Sequence, residues 1–573
     1  MKASNGIRFD ALRYVCVATL VLSVFTAQKL NAQENLDWRY NGNDLSNTRY
    51  QDVDKINTKN VSRLKVAWVF HTGVSDPNMS MEMNPIVVDG VMYVPTGDDD
   101  VFALNAATGK QIWAYHPKDM PALNTLPICC SNNNRGVALG QGLIFVARLD
   151  ATLIALDAKT GKLVWKTTVD DWTKGYSMTI APQFADGKVI VGVSGGEFQA
   201  RGHVDAFDAR TGEPVWRFYT TEPKTWAGNS YLTGGAPVWG NPSYDPELKT
   251  VYFATGNAAR DLFGGDREGM NLYSASIVAV DVKTGTLKWY FQEAHHDMWD
   301  YDGPSPTVLL TVNGVPAIAH TSKTGFMWIL DRRTGKSLFP YTEVPVPTEP
   351  AWQHPWPTQP ESSIESLTPH KMLDSDADAM PPGFVAAPMW TPPQPTMYVF
   401  QPAFDGGLEW PPMAYSPRTH FVYSHARYAP QVQTSENPPV GGFPGIGSEA
   451  SGFGPPGITY WGYYGAVNTL TGKIAWKIKS PNTPDSGMTV AGDLVFFGES
   501  SGLFHAVDAE TGDVLWTFNS ATVPNAGSAT ASGAAVYVVD GREYIAYGFG
   551  GNPGEQFSRL GDAIIAFTVP NDN

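Results

Sequence analysis

One pattern recurs seven times and limits what this chain can fold into: "NAATGKQIW" (Asn105 to Trp113), "DAKTGKLVW" (Asp157 to Trp165), "DARTGEPVW" (Asp208 to Trp216), "DVKTGTLKW" (Asp281 to Trp289), "DRRTGKSLF" (Asp331 to Phe339), "NTLTGKIAW" (Asn468 to Trp476) and "DAETGDVLW" (Asp508 to Trp516). Alternating apolar segments such as "LIALDA" and "SIVAVDV" precede the motif. The unit reads as a strand, a tight turn that needs the permissive backbone of glycine, and a second strand. Spacings of about 50 residues suit one four-stranded propeller blade with its loops, and larger gaps read as insertions. The repeated tryptophan is expected to wedge between neighbouring blades. An eighth unit can be assembled from both chain ends, "LKVAWVFHTG" around Trp68 with "DAIIAFTV" near the C-terminus, which closes the ring. The expected fold is therefore all-β, an eight-bladed β-propeller with tryptophan-docking repeats and long loops capping one face; seven blades is the alternative. The 56 Gly, 44 Pro and 18 Trp among 573 residues, only 17% of them charged, favour a turn-rich β protein in the same way.

The N-terminus carries Lys2, Arg8 and Arg13 ahead of an apolar run from Tyr14 to Phe25, followed by "KLNAQE". That is the form of a secretory signal peptide ending near Ala32, and the run is well short of the roughly 20 residues that span a bilayer. The expected organisation is a signal over 1–32 and a single propeller domain over 33–573, exported to the periplasm, with no membrane span. Loss of the signal removes four bases and one acid, taking the formal charge from -16 to about -19. Such acidity argues against nucleic acid and suits either plain solubility or a basic protein partner. Two stretches break the repeat, at 345–395 and 438–457, and their proline and glycine content argues against regular strands. The first is expected to act as a lid, with Trp352, Trp356 and Trp390 on its apolar underside.

The TGxxxW units, the adjacent Cys129 and Cys130 in "LPICCSNNNRGVAL" and the opening "WRYNGNDLSNTRYQDVDKINTKNV" together resemble the pyrroloquinoline quinone (PQQ) dependent alcohol dehydrogenases, including the methanol dehydrogenase type. Two adjacent thiols in an oxidising compartment either pair with each other or stay free. The resemblance implies that they pair into a flat plate covering one face of PQQ, while Trp239 in "GGAPVWGNPSYDP" covers the other and Arg135 reaches the cofactor's oxygens. It further implies Glu82, Thr179, Ser194, Gly195, Gly196 and Lys323 around the rim.

For the metal, the resemblance implies Glu197 in "GVSGGEFQARG", Asn257 in "YFATGN" and Asp300 in "HHDMWDYDG", with Asp300 also the catalytic base. Their oxygens suit a hard cation. Asp302 is the sharper mark: the lanthanide-dependent branch resembles this chain in placing aspartate there, and three carboxylates suit a trivalent ion better than a divalent one. A lanthanide is expected, with Ca2+ the alternative. His295 and His296 lack further zinc-spaced partners. Glu409 in "GGLEWPP" stands where many relatives have asparagine, and an acid beside an anionic cofactor is unfavourable unless protonated, turned away or bound to something else.

The expected reaction is oxidation of a primary or secondary alcohol to aldehyde or ketone. With no C-x-x-C-H in the chain, electrons are expected to leave to a soluble cytochrome c. The rival readings are a non-catalytic propeller scaffold of the cell envelope, which needs none of these acids and cysteines, and a six-bladed PQQ sugar dehydrogenase, which the repeat count disfavours. A homodimer is left open, and the identity of the alcohol is not legible.

Overall fold

The Thr-Gly turns sit where two sheets meet. In this computed structural model, which describes residues 35–570 apart from 75, 441–447, 449–450, 530 and 556, the motif glycines Gly109, Gly161, Gly212, Gly285, Gly335, Gly472 and Gly512 all have φ between +69° and +78°. Against each lies the aromatic of the preceding repeat. A Cβ built on Gly161 would stand 2.6 Å from the Trp113 ring, and the same holds for Trp68 at Gly109 and Trp289 at Gly335. The indole N–H then donates to a carbonyl just before the turn, as in Trp113 to Ala158 at 3.0 Å and Trp216 to Val282 at 3.0 Å. Only glycine permits both the left-handed backbone and the stacked ring, which explains why the motif joins Thr-Gly to an aromatic.

Successive antiparallel sheets of four strands occupy 86–115, 138–168, 183–219, 243–292, 308–337, 414–480 and 489–519. The 489–519 sheet gains Tyr50–Gln51 as a parallel fifth strand. A further sheet takes Ala535–Val539, Arg542–Phe549 and Ala563–Thr568 from the C-terminal end and Lys65–His71 from the N-terminal end. Middle strands such as Thr250–Ala254 are buried on both faces and read as unbroken apolar runs, whereas last strands such as Leu163–Thr168 alternate towards solvent. The result is the all-β propeller expected from the repeats.

The segment before the first sheet laces the others together. Backbone bonds join Leu36 to Val538, Trp38 to Val87, Leu45 to Tyr244, Ser46 to Leu309, Thr48 to Tyr415 and Arg49 to Val490. Arg49 is fully buried and its guanidinium donates to the carbonyls of Asn41, Met488 and Ala534, to Asn84 Oδ1 and to Thr489 Oγ1.

The proline-rich stretch departs from expectation, because regular strands do form there. Thr358–Ser362 pairs antiparallel with Tyr341–Pro345, and Phe384–Ala386 pairs parallel with Met397–Phe400. Pro360 is tolerated because a two-stranded hairpin has only edges, so its missing N–H breaks no inner ladder. In this stretch Trp390 is buried edge-on against Trp299 and Tyr301 (5.3 and 5.5 Å), and Trp352 stacks on Phe263. Trp356 lies beside His295. The expected signal peptide and, within 438–457, residues 441–447 and 449–450 lie outside the described residues. Among the described residues no helix is long and apolar enough to cross a membrane.

Candidate active site

Cys129 and Cys130 form a disulfide, and Cys130 is exposed at the edge of a cavity of about 260 Å3. The chain then turns inward. Asn132 bonds to Asn78 and Ser80 through the backbone, which carries Arg135 beneath the plate. Arg135 Nη2 pairs with Glu82 Oε2 at 2.7 Å, and its Nη1 donates to Thr179 Oγ1 at 2.6 Å. Thr179 Oγ1 lies 3.1 Å from Ser194 Oγ. The guanidinium carbon stands 4.6 Å from the centroid of the Trp239 ring. Cation, hydroxyls, indole and disulfide thus meet in one place, a set that fits a flat anionic group.

At the other end the backbone is bent to bring acids together. Gly195 has φ +115°, and a Cβ there would strike the Gly175 carbonyl at 1.9 Å, so glycine is required just before the 3-10 turn Gly196–Phe198 that carries Glu197. Asp302 Oδ1 accepts the backbone N–H of Asn257 at 2.8 Å, an approach that a Cβ on Gly256 would block at 2.4 Å. Asp300 has φ +62°, a costly conformation for a non-glycine residue. Its neighbours hold it there: Asp297 accepts from the N–H groups of Trp299 and Tyr301, Trp299 Nε1 donates to the Thr391 carbonyl, and Tyr301 Oη donates to the Pro402 carbonyl.

Lys323 Nζ lies 2.9 Å from Asp300 Oδ2 and 2.8 Å from Asp302 Oδ2. Burial raises the Asp300 carboxyl well above its usual range; Lys323 opposes the shift, and the Asp302 and Asp261 carboxylates reinforce it. Lys323 is itself held well above the ordinary lysine range, because Asp300, Asp302 and Glu409 outweigh its burial.

Glu82, both cysteines, Arg135, Thr179, Ser194, Gly195, Glu197, Trp239, Asp300, Asp302 and Lys323 all line this cavity. Gly196 and Asn257 sit directly behind its wall, with Asn257 Oδ1 3.7 Å from the Cβ position of Gly196. Glu409 lines it too, and burial pushes its carboxyl up to about 7 against the pull of Lys323 and Arg427, so protonation eases the clash expected from the sequence. Both His296 ring nitrogens face backbone carbonyls, and His295 lies against Gln292 and Glu343, so neither histidine is directed at the acids.

Sequence reasoning missed Asp261, Phe404, Asp405, Arg427 and Glu555, all on the cavity wall. Each is distant from the quoted motifs or lacks a spacing that would mark it. Among the described residues no three His, Cys, Asp or Glu side chains already form a closed ligand set. The donor chemistry nevertheless fits a hard cation: carboxylates line one cavity with a carboxamide beside them, and burial, reinforced by the neighbouring carboxylates, raises Asp300 and Asp261, a cost that a cation relieves.

Residues 38–440 match the family described as PQQ, glucose/ethanol/alcohol dehydrogenase, beta-propeller domain. Residues 462–556 match the family described as outer membrane protein assembly factor BamB. The chain is 34% identical over 566 residues to the quinohemoprotein alcohol dehydrogenase of Comamonas testosteroni, covering 91% of this chain and 74% of that one. It is 33% identical to the lanthanide-dependent methanol dehydrogenase of Methylorubrum extorquens, covering 80% of this chain and 78% of that one. Among solved structures it is similar to a europium-containing methanol dehydrogenase, with a TM-score of 0.77, 29% identity, and coverage of 93% of this chain and 98% of that one.

Proposed function

Since the chain belongs to the PQQ β-propeller family of glucose, ethanol and alcohol dehydrogenases, we propose that its successive sheets are eight blades of one closed ring and that the cavity lined by Cys129, Cys130, Trp239 and Asp300 is where an alcohol is oxidised. The protein is an oxidoreductase acting on CH–OH donors. The single observation that carries the site assignment is that these residues, from three separate parts of the chain, line one chamber. The scaffold reading is not favoured, because a scaffold has no use for a disulfide plate facing buried acids.

In this reading the disulfide and Trp239 would hold PQQ between them, and Arg135, Thr179, Ser194 and Lys323 would bind its oxygens. Glu197, Asn257, Asp300 and Asp302 would hold the metal. When bound, the metal-polarised quinone supplies a hydride acceptor. The chain's own part is proton handling and exclusion of water. Lys323 occupies Asp300 Oδ2, leaving Oδ1 to take the hydroxyl proton. Trp299, Tyr301 and Trp390 seal the wall behind it. The metal is a lanthanide rather than calcium, a choice supported by Asp302. Export to the periplasm and a soluble cytochrome c as acceptor complete the reading.

The test is reconstitution of the apoprotein with PQQ and either a light lanthanide or Ca2+, followed by alcohol-dependent dye reduction. Activity that needs both additions is expected; turnover without PQQ sinks the proposal. Asp302→Ala is expected to abolish lanthanide-supported turnover while leaving the circular dichroism unchanged. Full lanthanide activity in that variant removes Asp302 from the ligand set.

A further inference from the structure

Asp261 belongs to no motif, yet it is buried in the cavity wall four residues after Asn257. Its Oδ1 accepts a hydrogen bond from Asn257 Nδ2 at 2.6 Å. A carboxamide has two nearly isosteric ends, one donating and one accepting, and only its oxygen is useful to a cation. Here it is the carboxamide nitrogen, not the oxygen, that faces Asp261. With its NH2 group turned to Asp261, Asn257 has Oδ1 on the other side, 3.7 Å from the Cβ position of Gly196. The backbone N–H of Asn257 is meanwhile held by Asp302. The residue is thus clamped by one carboxylate at its main chain and another at its side chain.

We propose that Asp261 is a positioning residue: it fixes the Asn257 carboxamide with its oxygen towards the cation and so raises the affinity of the site for the ion. This rests on the metal reading given under the proposed function and deepens it. Without Asp261 the amide keeps a 3.4 Å contact from Nδ2 to the Ala258 carbonyl, a weak hold against rotation about its last bond, and one of its two orientations aims N–H groups at a positive charge. Hydrogen-bond partners that orient metal ligands typically change metal affinity by about 10- to 100-fold. Asp261 also adds a further carboxylate near Glu197 and Asp302, which act on it electrostatically.

The experiment titrates Tb3+ into the PQQ-loaded protein and reads tryptophan-sensitised luminescence, with calorimetry for Ca2+. In Asp261→Asn the side chain can either accept or donate and no longer dictates the amide's orientation; in Asp261→Glu the acceptor is kept. A 10- to 100-fold loss of ion affinity is expected in Asp261→Asn, with partial recovery in Asp261→Glu, and with PQQ affinity and the melting temperature of the metal-free protein unchanged. Wild-type ion affinity in Asp261→Asn overturns the proposal, and if Asp302→Ala has lost the ion in the same assay, the metal reading itself still stands. A wild-type protein that binds neither ion overturns both together.

Discussion

At the scale of single residues, Asp300 shows how a buried carboxylate is held in place. Its φ of +62° is held by Asp297, Trp299 and Tyr301, which in turn are tied to Thr391, Pro402 and Trp390 of the proline-rich insertion and its flank. Asp300→Asn keeps the shape and the link to Lys323 but is a far weaker base. Turnover measured by dye reduction is expected to fall by about 100- to 10,000-fold, with the absorbance of bound PQQ retained. Normal turnover in that variant would falsify the assignment of the base. Asp300 and Asp302 were legible because they share one short string. Asp261 was not, because nothing in "NAARD" says that the backbone returns its carboxylate to Asn257. Glu409 was legible as a departure, but its raised pKa follows from burial that only the fold supplies.

At the scale of the repeated element, the turn and the tryptophan are two halves of different units. The Gly161 turn of one sheet receives the Trp113 ring of the sheet before it, so each copy of the motif is completed by its neighbour. Gly161→Ala adds a Cβ 2.6 Å from that ring at a φ of +69°. Thermal denaturation is expected to show a loss of about 2 kcal/mol, the sum of backbone strain and overpacking; an unchanged melting temperature contradicts the docking role. At Gly472 the partner is Phe339, which has no N–H to donate, so this interface keeps the stacking but lacks the indole bond. The conserved spacing made these strands and turns readable, whereas the 345–395 stretch was misread because edge strands tolerate the prolines that inner strands exclude.

At the scale of the whole molecule, closure depends on contacts between the chain ends. Lys65–His71 pairs with Ala563–Thr568, and Arg49 ties the N-terminal segment to residues from 84 to 534. Arg49→Met fills the space but leaves several buried acceptors without donors. A loss of at least about 3 kcal/mol in urea denaturation is expected, and a wild-type midpoint would count against the hub role. A pH effect follows from His203, buried between Asp170 and Asp205, beside Arg217 and the rings of Tyr176 and Tyr219. Burial pulls its pKa down, but the two aspartates outweigh that, so it is raised overall. The ion pairs therefore contribute fully below the unfolded value of about 6.5 and fade as pH rises through the folded value. Melting curves across that range are expected to slope downward in the wild type and to flatten in His203→Gln.

The sequence by itself determined the sheet repeat and the tryptophan docking, because each is encoded by residues a few positions apart whose spacing reports a local geometry; the disulfide and the cavity acids it marked only through resemblance to a family. Only the tertiary structure decided that Asp300 is gripped by Lys323, that Asp261 faces Asn257 and that Arg49 laces the ring. Those are encounters between residues far apart in the chain or brought round by an irregular loop, and their strength comes from burial, which a linear pattern does not record.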